Sequence, residues 1–497
     1  MSGPSLEQQV REALAVIEQL RGDNEVLRAD YEALRAENLA LADRVAALES
    51  ELKKDSTTSS KPPSMDPVGP RQSRAERRAE ARSAKRAQGK QPGSAGTNLK
   101  RRPPEVTIEH QPACCAGCGA DLADAELVGE VRRQVIDLPP VEPTVVDHVA
   151  YRCRCRCGTE TTAEFPPHAK APVCWGPGVR ALAVYLLDRQ HLPVERTAEL
   201  LADLLDAPVS TGWLCQVQLE GAGKLAPFII ELRDRLGVEP VVHADETGTR
   251  VRTTKHWMHT LTTNLLTLIA AHPNRGRQAL DDIGILATYT GTVVHDGYAS
   301  YDGYDSATHA QCGAHLIRHL TDIGQTATHT AWTGAMIAVL LDAKAASEHA
   351  AERGQPRVDT RTARALRRRY HQTLDQAFSL LPDGRPPQRR HRGGWSIYDR
   401  KAWNLATRMT NHADDILRLL EDTRVPLDNN TAERALRMVK LHDKISGCFH
   451  SLAGAEAFAD IRSYLQTANN HGENLLGVLR QLFTDGPWLP PNPAFGT

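Results

Sequence analysis

Three acidic residues stand where strand and helix patterns would bring carboxylates together. Asp245 follows the apolar run VVHA, and Asp296 ends the apolar run TVVH. Glu433 lies in LDNNTAERALRMVK, where Asp428 or Asn429 can cap a helix that presents Glu433 one turn later. Carboxylates are the hard ligands that Mg²⁺ prefers, and phosphoryl transfer on DNA needs divalent metal to activate the attacking oxygen and stabilise the leaving one. The three acids are therefore a candidate metal site.

The segment from Glu239 onward has the composition of β-strands. Four stretches, PVVHADETGTRVR, KHWMHTLTTN, LLTLIAAHP and TGTVVHDGYA, are rich in Val, Ile, Thr and aromatic residues and are separated by turn residues. A helix-like stretch from Arg277 to Leu286 precedes the fourth, and after His309 the pattern predicts helix almost to the end of the chain. This order opens a ribonuclease-H-like α/β fold, which takes Asp from its first and fourth strands and a carboxylate from a later helix.

The spacing of the three acids leaves room for an insertion. Asp245 and Asp296 are 296 − 245 = 51 residues apart, and Glu433 follows after 433 − 296 = 137. The second interval can hold a helical insertion between the strands and the final helix, at about residues 325–425. This part of the chain is also basic: Arg361, Arg364, Arg367, Arg368, Arg369, Arg389, Arg390 and Arg392 lie in it.

Several ordered motifs resemble those of one known family. HADETGTR, VVHDGYASYDGY, HAQCGAHLIRHL, LDNNTAERALR and ISGCFHSLAGAEAFADIRSYLQTANNHGENLLGVL resemble the successive motifs of the DDE transposases of the insertion-sequence sixty-six family. The resemblance covers nearly the whole chain. It implies that Asp245, Asp296 and Glu433 are the catalytic triad and bind Mg²⁺ or Mn²⁺. Glu246 points to the opposite face of the strand from Asp245, which favours a structural or DNA-facing role over metal binding.

The same resemblance implies a reaction. A phosphodiester at the transposon end would be hydrolysed by metal-activated water, and the freed 3′-hydroxyl would then attack target DNA. No covalent enzyme intermediate is needed. The partners would be DNA, both transposon ends and target, a second copy of the chain, and possible helper proteins from the same element.

Basic side chains near the predicted triad are candidate DNA contacts. His315 and Arg318 lie three residues apart and share a helical face, so they can contact a phosphate or simply belong to the surface. Arg437 and Lys440 follow Glu433 by four and seven residues on the same face, where they could hold the scissile or transferred strand. We predict all four as DNA-binding residues.

Six of the ten cysteines fall into two clusters, Cys114, Cys115, Cys118 and Cys153, Cys155, Cys157. Such clustering in a cytosolic chain favours metal over disulfides, and the segment resembles the family's zinc-binding module. Cys115 and Cys118 form one knuckle, and Cys155 and Cys157 would complete a tetrahedral Zn²⁺ site. The short spacing of the second pair leaves open whether Cys153 replaces Cys155. Free cysteines are the alternative.

The first 52 residues carry a heptad repeat. One seam position holds Leu6, Ala13, Leu20, Leu27, Leu34, Leu41 and Leu48, and the other holds Val10, Ile17, Asn24, Tyr31, Asn38, Val45 and Leu52. Asn at two seam positions pairs best in a parallel two-stranded coiled coil, so a dimer is predicted. The alternative is a single amphipathic helix that lies on a globular domain.

Two further segments could bind DNA. Between Arg71 and Arg102 there are eleven basic residues against two acidic ones, which would attract a phosphate backbone or merely solvate a linker. The stretch LPVERTAELLADLLDAPVSTGWL reads as two helices joined by a tight break, with Ser210 as the cap of the second. This fits a helix-turn-helix, although three packed helices without a DNA role would look the same.

Together these patterns predict a multidomain chain. The boundaries are 1–52 for the coiled coil, 53–104 for the basic linker, 105–167 for the zinc module, 168–235 for the helix-turn-helix segment, 236–450 for the catalytic domain and 451–497 for a helical C-terminus. The net charge is −1 and no run approaches the roughly 18 apolar residues of a membrane span, so a cytoplasmic, nucleoid-associated protein without membrane partners is expected. The rival functions are a dimeric zinc-containing regulator with an inactive core, and a plain nuclease.

Overall fold

The computed structural model describes residues 18, 19, 21–25, 27, 28, 30–32, 34, 99–138, 141–169, 171–386 and 395–491. The chain divides into two compact units, one of Met1–Pro67 and Thr144–Thr497, the other of Val68–Pro143. The predicted coiled coil and basic linker fall largely outside the described residues. Those described between 18 and 34 are helical and exposed, including the predicted seam residues Leu27, Tyr31 and Leu34.

Among the described residues from 99 onward, a two-stranded hairpin and four helices precede the large sheet. Strands β1 (Arg152–Arg154) and β2 (Glu160–Thr162) pair antiparallel. The helices are α1 (Pro177–Val184), which continues as a π-helix (Tyr185–Arg189), then α2 (Val194–Leu205), α3 (Thr211–Lys224) and α4 (Ala226–Val238). Asp206, with φ of 46°, ends α2, and the Ser210 side chain accepts a hydrogen bond from Trp213 N at 3.2 Å. The predicted break and the predicted Ser210 cap are both present.

The five-stranded sheet contains the four predicted strands and one more. The strands are β3 (Val241–Val251), β4 (Thr254–Thr262), β5 (Thr267–His272), β6 (Thr292–His295) and β7 (Thr308–Gln311), in the order β5-β4-β3-β6-β7. Strand β4 pairs antiparallel with both β3 and β5, whereas β6 pairs parallel with β3 and β7 pairs parallel with β6. The sequence analysis missed β7, because four residues reading THAQ carry no alternation of apolar and polar side chains.

Helix α5 (Arg277–Ile283) lies between β5 and β6 and is shorter than predicted, since Gly284 with φ of 79° terminates it. Between β7 and residue 429 the described residues form six helical segments: α6 (Gly313–Ile323), α7 (Thr330–Glu352), α8 (Thr360–Ser379), α9 (Ile397–Asn411), α10 (Ala413–Ile416) and a 3₁₀ turn (Arg418–Leu420). From α6 onward they share an apolar core that includes Trp332, Met336 and Tyr370. Helices therefore occupy most of the predicted insertion.

Three helices complete the described C-terminal part of the chain: α11 (Asn430–Ile445), α12 (Leu452–Asn470) and α13 (Leu475–Thr484). Helix α11 packs against β3 and β4, and α12 packs against β5. The hydroxyls of Ser463 and Thr467 accept hydrogen bonds from Ile269 N at 2.8 Å and Thr267 N at 3.1 Å. Polar side chains of α12 thus satisfy the free edge of β5, which would otherwise present unpaired backbone groups.

Helices α1, α3 and α4 share one hydrophobic core with the sheet and with α12 and α13, through residues such as Val217, Phe228, Val242 and Tyr464. The helical segment before the sheet is therefore packed on the sheet and on the C-terminal helices. None of the helices among the described residues is long and apolar enough to cross a membrane.

Candidate active site

Parallel pairing of β3 with β6 brings the first two predicted acids side by side. His243 lies opposite Val294, an offset of 294 − 243 = 51 residues, and the same offset relates Asp245 to Asp296. Asp245 is within β3, and Asp296 comes directly after β6. Because parallel strands in register present equivalent positions at the same level of the sheet, both carboxylates belong to one site.

The electrostatics of Asp245 show that this site is acid-rich. Burial, helped by the nearby charges of Glu246, Asp296 and Glu433, raises the pKa of Asp245 to about 8, although a hydrogen bond from Glu246 N opposes the shift. Glu433 therefore acts on the same carboxylate as Asp296, and the three predicted triad residues are neighbours. A buried carboxylate with other acids around it is stabilised by a bound cation, so this donor set fits Mg²⁺ or Mn²⁺.

The third acid reaches the site from the first turn of α11. Asp428 Oδ1 accepts a hydrogen bond from Asn430 N at 3.1 Å and so satisfies one of the free N–H groups at the helix start. Asn429 occupies the N-cap position but its side chain makes no capping bond. Of the two predicted caps, Asp428 acts at the helix start, and the Asn429 side chain turns into the protein instead.

Asn429 connects the start of α11 with β3 and with the segment that precedes α6. It is fully buried; Nδ2 donates to Ala244 O at 2.8 Å, and Oδ1 lies 2.9 Å from His243 Nδ1. Its backbone N–H donates to Cys312 Sγ at 3.2 Å, just before α6. Sequence reasoning gave Asn429 only a capping role, and the two consecutive Asn residues were the one signal that a more specific role exists here.

The predicted DNA contacts His315 and Arg318 lie against Glu433. Arg318 Nη2 is 3.3 Å from Glu433 Oε1, and His315 Nδ1 is 3.8 Å from the same oxygen. Burial and the charge of Arg318 lower the pKa of His315 to about 4, so the imidazole is neutral at neutral pH and Arg318 carries the countercharge. These two side chains are thus assembled at the acid site.

A second donor group borders the acids. Among the described residues, Cys312, His315 and Glu433 have possible metal-binding atoms that all lie within 4.8 Å of one another. Burial raises the pKa of the Cys312 thiol to about 11, so it stays protonated. Sulfur is a soft ligand that suits Zn²⁺ better than Mg²⁺, so this group differs in its chemistry from the carboxylates of Asp245 and Asp296. The spacing Cys-x₂-His in HAQCGAH was the available signal.

Gly297, which follows Asp296, is required by the backbone and by a close approach. Its φ is +82°, and a Cβ placed there would lie 1.9 Å from Arg408 Nη2. Arg408 uses that nitrogen to donate to Asp296 O at 2.6 Å, while its Nε donates to Gln311 at 3.0 Å. The glycine therefore lets an arginine from α9 hold the loop that presents Asp296.

Glu246 is buried in an ion pair with Arg275, an arginine of the loop between β5 and α5. Its side chain is 2% exposed, and Oε1 accepts from Arg275 Nε at 2.9 Å and Nη2 at 2.7 Å. Oε2 accepts from the hydroxyl of Tyr301 at 2.8 Å. The expectation that Glu246 is structural or DNA-facing and not a metal ligand agrees with these contacts.

Helix α11 also carries the other two predicted DNA contacts. Arg437 and Lys440 are both exposed, and Lys440 Nζ donates to Gly248 O in β3. They lie beyond Glu433 along the same helix.

The two cysteine knuckles are formed by separate stretches of chain. In the first, Cys115 N donates to Ala120 O and Gly119 has φ of 75°, while N–H groups of Cys118 and Gly117 lower the pKa of Cys115. In the second, Cys155 N donates to Thr159 O, and Gly158 has φ of 89°.

The second knuckle favours a thiolate. Hydrogen bonding from Thr159, together with Cys155, lowers the pKa of Cys157 to about 7, and a thiolate is the form that binds metal. Cys153 lies on β1 opposite Thr161, outside the turn that holds Cys155 and Cys157.

Comparisons with known proteins identify the family. The profile of the Transposase IS66 family matches residues 172–457, which include all three acids, and the chain belongs to this family of transposases. The zinc-finger binding domain of transposase IS66 matches residues 112–158, and a family of unknown function matches residues 1–100. The uncharacterised protein y4jD of Sinorhizobium fredii is 24% identical over 402 residues, which cover 74% of this chain and 73% of that protein. The family resemblance of the motifs is confirmed.

Proposed function

We propose that this chain cleaves transposon ends and joins them to target DNA with a metal site formed by Asp245, Asp296 and Glu433. The observation that carries the proposal is the parallel register that sets Asp245 beside Asp296, with Glu433 acting on the same carboxylate. A divalent cation bound there would stabilise the negative charge that develops on the reacting phosphodiester.

The strand order of the sheet supports a ribonuclease-H-like fold for the proposed catalytic domain. Its order of three antiparallel strands followed by two parallel ones is the arrangement that such a fold needs to place acids from β3 and β6 next to a carboxylate on a C-terminal helix. We propose this fold class for residues 236–450, with the helices between α6 and α11 as an insertion.

The chain's own residues have distinct tasks in this proposal. The three carboxylates hold the cation, Asn429 and Arg408 hold the segments that carry them, and Arg318 balances Glu433 until the cation binds. Where Glu433 holds a cation, the Arg318 guanidinium would be free to contact a DNA phosphate. Arg437 and Lys440 would contact the strand further along α11.

The direct test uses the full chain and labelled DNA that carries the inverted repeats flanking its coding region. Nicked strands with free 3′-hydroxyls and strand-joined products are expected in Mg²⁺ or Mn²⁺, and neither is expected in EDTA. Binding without nicking in either metal would favour the regulator with an inactive core. Nicking without joining would favour a plain nuclease, and a requirement for other proteins of the element is tested by adding them.

Zinc is expected to be structural, at one ion per chain, held by Cys115, Cys118, Cys155 and Cys157. The Cys115→Ser and Cys118→Ser variants should each lose the ion, because a serine hydroxyl does not replace a thiolate ligand. Metal content measured by mass spectrometry checks this, with the exposed Cys215 changed to Ser as the matched control. Zinc that stays at the wild-type level in both variants would rule out this ligand set. Comparing Cys153→Ser with Cys155→Ser decides between the two alternatives for the third ligand.

The heptad segment is proposed to pair two protomers in parallel and so bring two DNA ends together. Deletion of residues 1–52 should leave the catalytic domain folded and should lower paired-end complexes far more than single-end binding, because linked binding sites act at a raised effective concentration. Gel-shift assays that resolve the two complexes measure this. Sedimentation of an isolated 1–52 peptide provides the second check, and a monomer at micromolar concentration, or a trimer, would exclude the parallel dimer.

A further inference from the structure

The loop between β5 and α5 holds an arginine at the edge of the acid site. We propose that the guanidinium of Arg275 is a binding site for a DNA phosphate next to the scissile bond, oriented by Glu246, Tyr298 and Trp257. The inference rests on the proposed function, since it specifies how the substrate is held.

One edge of the Arg275 guanidinium is fixed and the other is available. Nε and Nη2 both donate to Glu246 Oε1, at 2.9 Å and 2.7 Å. Within the part of the chain that the structure describes, Nη1 makes no hydrogen bond, and the Arg275 side chain is 37% exposed. A guanidinium can bind one anion on each edge. Because the group is planar and rigid, the bonds to Glu246 also fix the direction of the edge that is not bonded.

Burial of Glu246, the partner of the fixed edge, costs free energy. Glu246 is 2% exposed, and its second oxygen accepts from the buried Tyr301 hydroxyl at 2.8 Å. A carboxylate removed from water costs several kcal/mol unless it is paired and hydrogen-bonded. Oε1 of Glu246 accepts from Arg275 and Oε2 accepts from Tyr301. The carboxylate that orients Arg275 is therefore itself fixed in place.

Two aromatic rings complete the support. The Arg275 Cζ atom lies 4.0 Å from the centre of the Tyr298 ring and 4.9 Å from the centre of the Trp257 ring. Lys255 Nζ lies 4.3 Å from the centre of Trp257, which adds a second positive charge to the same surface. Because cations already contact these rings, the surface presents positive charge to a ligand in preference to a stacking face for bases.

Arg275 contacts the loop that carries Asp296 through the ring of Tyr298. Tyr298 follows Asp296 by two residues, and its backbone N–H donates to Asp296 Oδ1 at 2.8 Å. The charge of Asp296 acts on both Glu246 and Arg275. A phosphate that contacts Arg275 therefore lies close to the acids, and the free cationic edge compensates part of the repulsion between those acids and the DNA backbone.

The test compares three variants of the full chain in end-DNA binding over a range of salt, without divalent metal. Arg275→Ala should weaken binding about tenfold, the loss of one charged hydrogen bond, and should reduce the slope of log Kd against log salt by roughly 0.9. Arg275→Lys keeps a charge for Glu246 but has no second edge, so a loss close to that of Arg275→Ala is expected.

Arg277→Ala is the matched control. Arg277 lies two residues further on, at the start of α5, and its Cζ atom is 4.5 Å from the centre of the Tyr304 ring, but its Nη1 donates to Gly303 O at 2.6 Å. Unchanged affinity and salt slope are expected. DNA with single methylphosphonate substitutions then locates the contact: at one position beside the scissile bond the wild type and Arg275→Ala should bind equally.

The outcomes separate this inference from the proposed function. If Arg275→Ala binds like Arg277→Ala, with the same salt slope, the phosphate site is excluded even where the wild type cleaves and joins DNA. If the wild type binds ends through Arg275 yet never cleaves them in Mg²⁺ or Mn²⁺, the phosphate site stands and the transposition chemistry fails. Should Arg275→Ala unfold, as shown by its melting curve, Arg275→Lys carries the test because the buried Glu246 keeps a partner.

Discussion

Asp245→Asn, Asp296→Asn and Glu433→Gln are each expected to reduce strand cleavage and joining by at least about a thousandfold, since metal stabilisation of the reacting phosphate is worth several kcal/mol. A neutral amide keeps the size of the side chain but loses the charge that holds the cation. End binding should stay nearly intact, because these acids repel the DNA backbone instead of attracting it. Product formation on a labelled transposon end, together with gel-shift affinity, measures both effects.

Asp305→Asn is the matched control for the triad. Asp305 is an exposed acid nine residues after Asp296 in the same connection between β6 and β7, and the same change of charge there should leave cleavage at the wild-type rate. Cleavage at the wild-type rate by any one of the three triad variants would remove that residue from the catalytic site. A loss of folding is recognised by the melting curve and would be distinguished from a loss of chemistry.

Asn429→Ala is expected to destabilise the protein by about 4 kcal/mol and to abolish most cleavage. The substitution removes the hydrogen bond to Ala244 O and the partner of the buried His243 Nδ1, and each such loss costs about 1–3 kcal/mol. It also releases the start of α11 from β3, so Glu433 is no longer held beside Asp245. Thermal unfolding followed by circular dichroism checks the first effect, and cleavage assays below the new melting temperature check the second.

The neighbouring Asn430 provides the control for this prediction. It is exposed in the first turn of α11, and its side chain contributes no bond to β3. Asn430→Ala should therefore melt close to the wild type. If Asn429→Ala and Asn430→Ala melt at the same temperature, the link between α11 and β3 does not depend on the buried amide.

Local pattern is sufficient for most of the elements of this protein, with β7 as the strand that it did not predict, and it makes Asp245, Asp296 and Glu433 candidates for one site. Alternating and apolar runs of β-branched residues place β3 to β6 correctly, and the ordered motifs carry the family, which the profile match to residues 172–457 confirms. Strands β3 and β6 pair with an offset of 51 residues, which is also the spacing of Asp245 and Asp296. This agreement follows from the sequence, because each acid directly follows the apolar run of its strand.

Contacts between segments that are far apart in the chain could not be predicted from local pattern. His243 and Asn429 are 186 residues apart in the chain, and Arg408 and Asp296 are 112 apart. No periodicity in either segment encodes such a meeting; it follows from how α11 and the helical insertion pack against the sheet. The same holds for Cys312 beside Glu433, and for Glu246 beside Arg275.

The sequence could show that Glu246 faces away from Asp245, since side chains alternate along a strand. It could not show what Glu246 faces, because that depends on where the loop after β5 places Arg275 and where the turn after β6 places Tyr301. The types of residue and their direction along one strand are local properties of the chain. The partner that each buried charge finds is a property of the packed molecule, because the cost of burial is met only when distant segments arrive together.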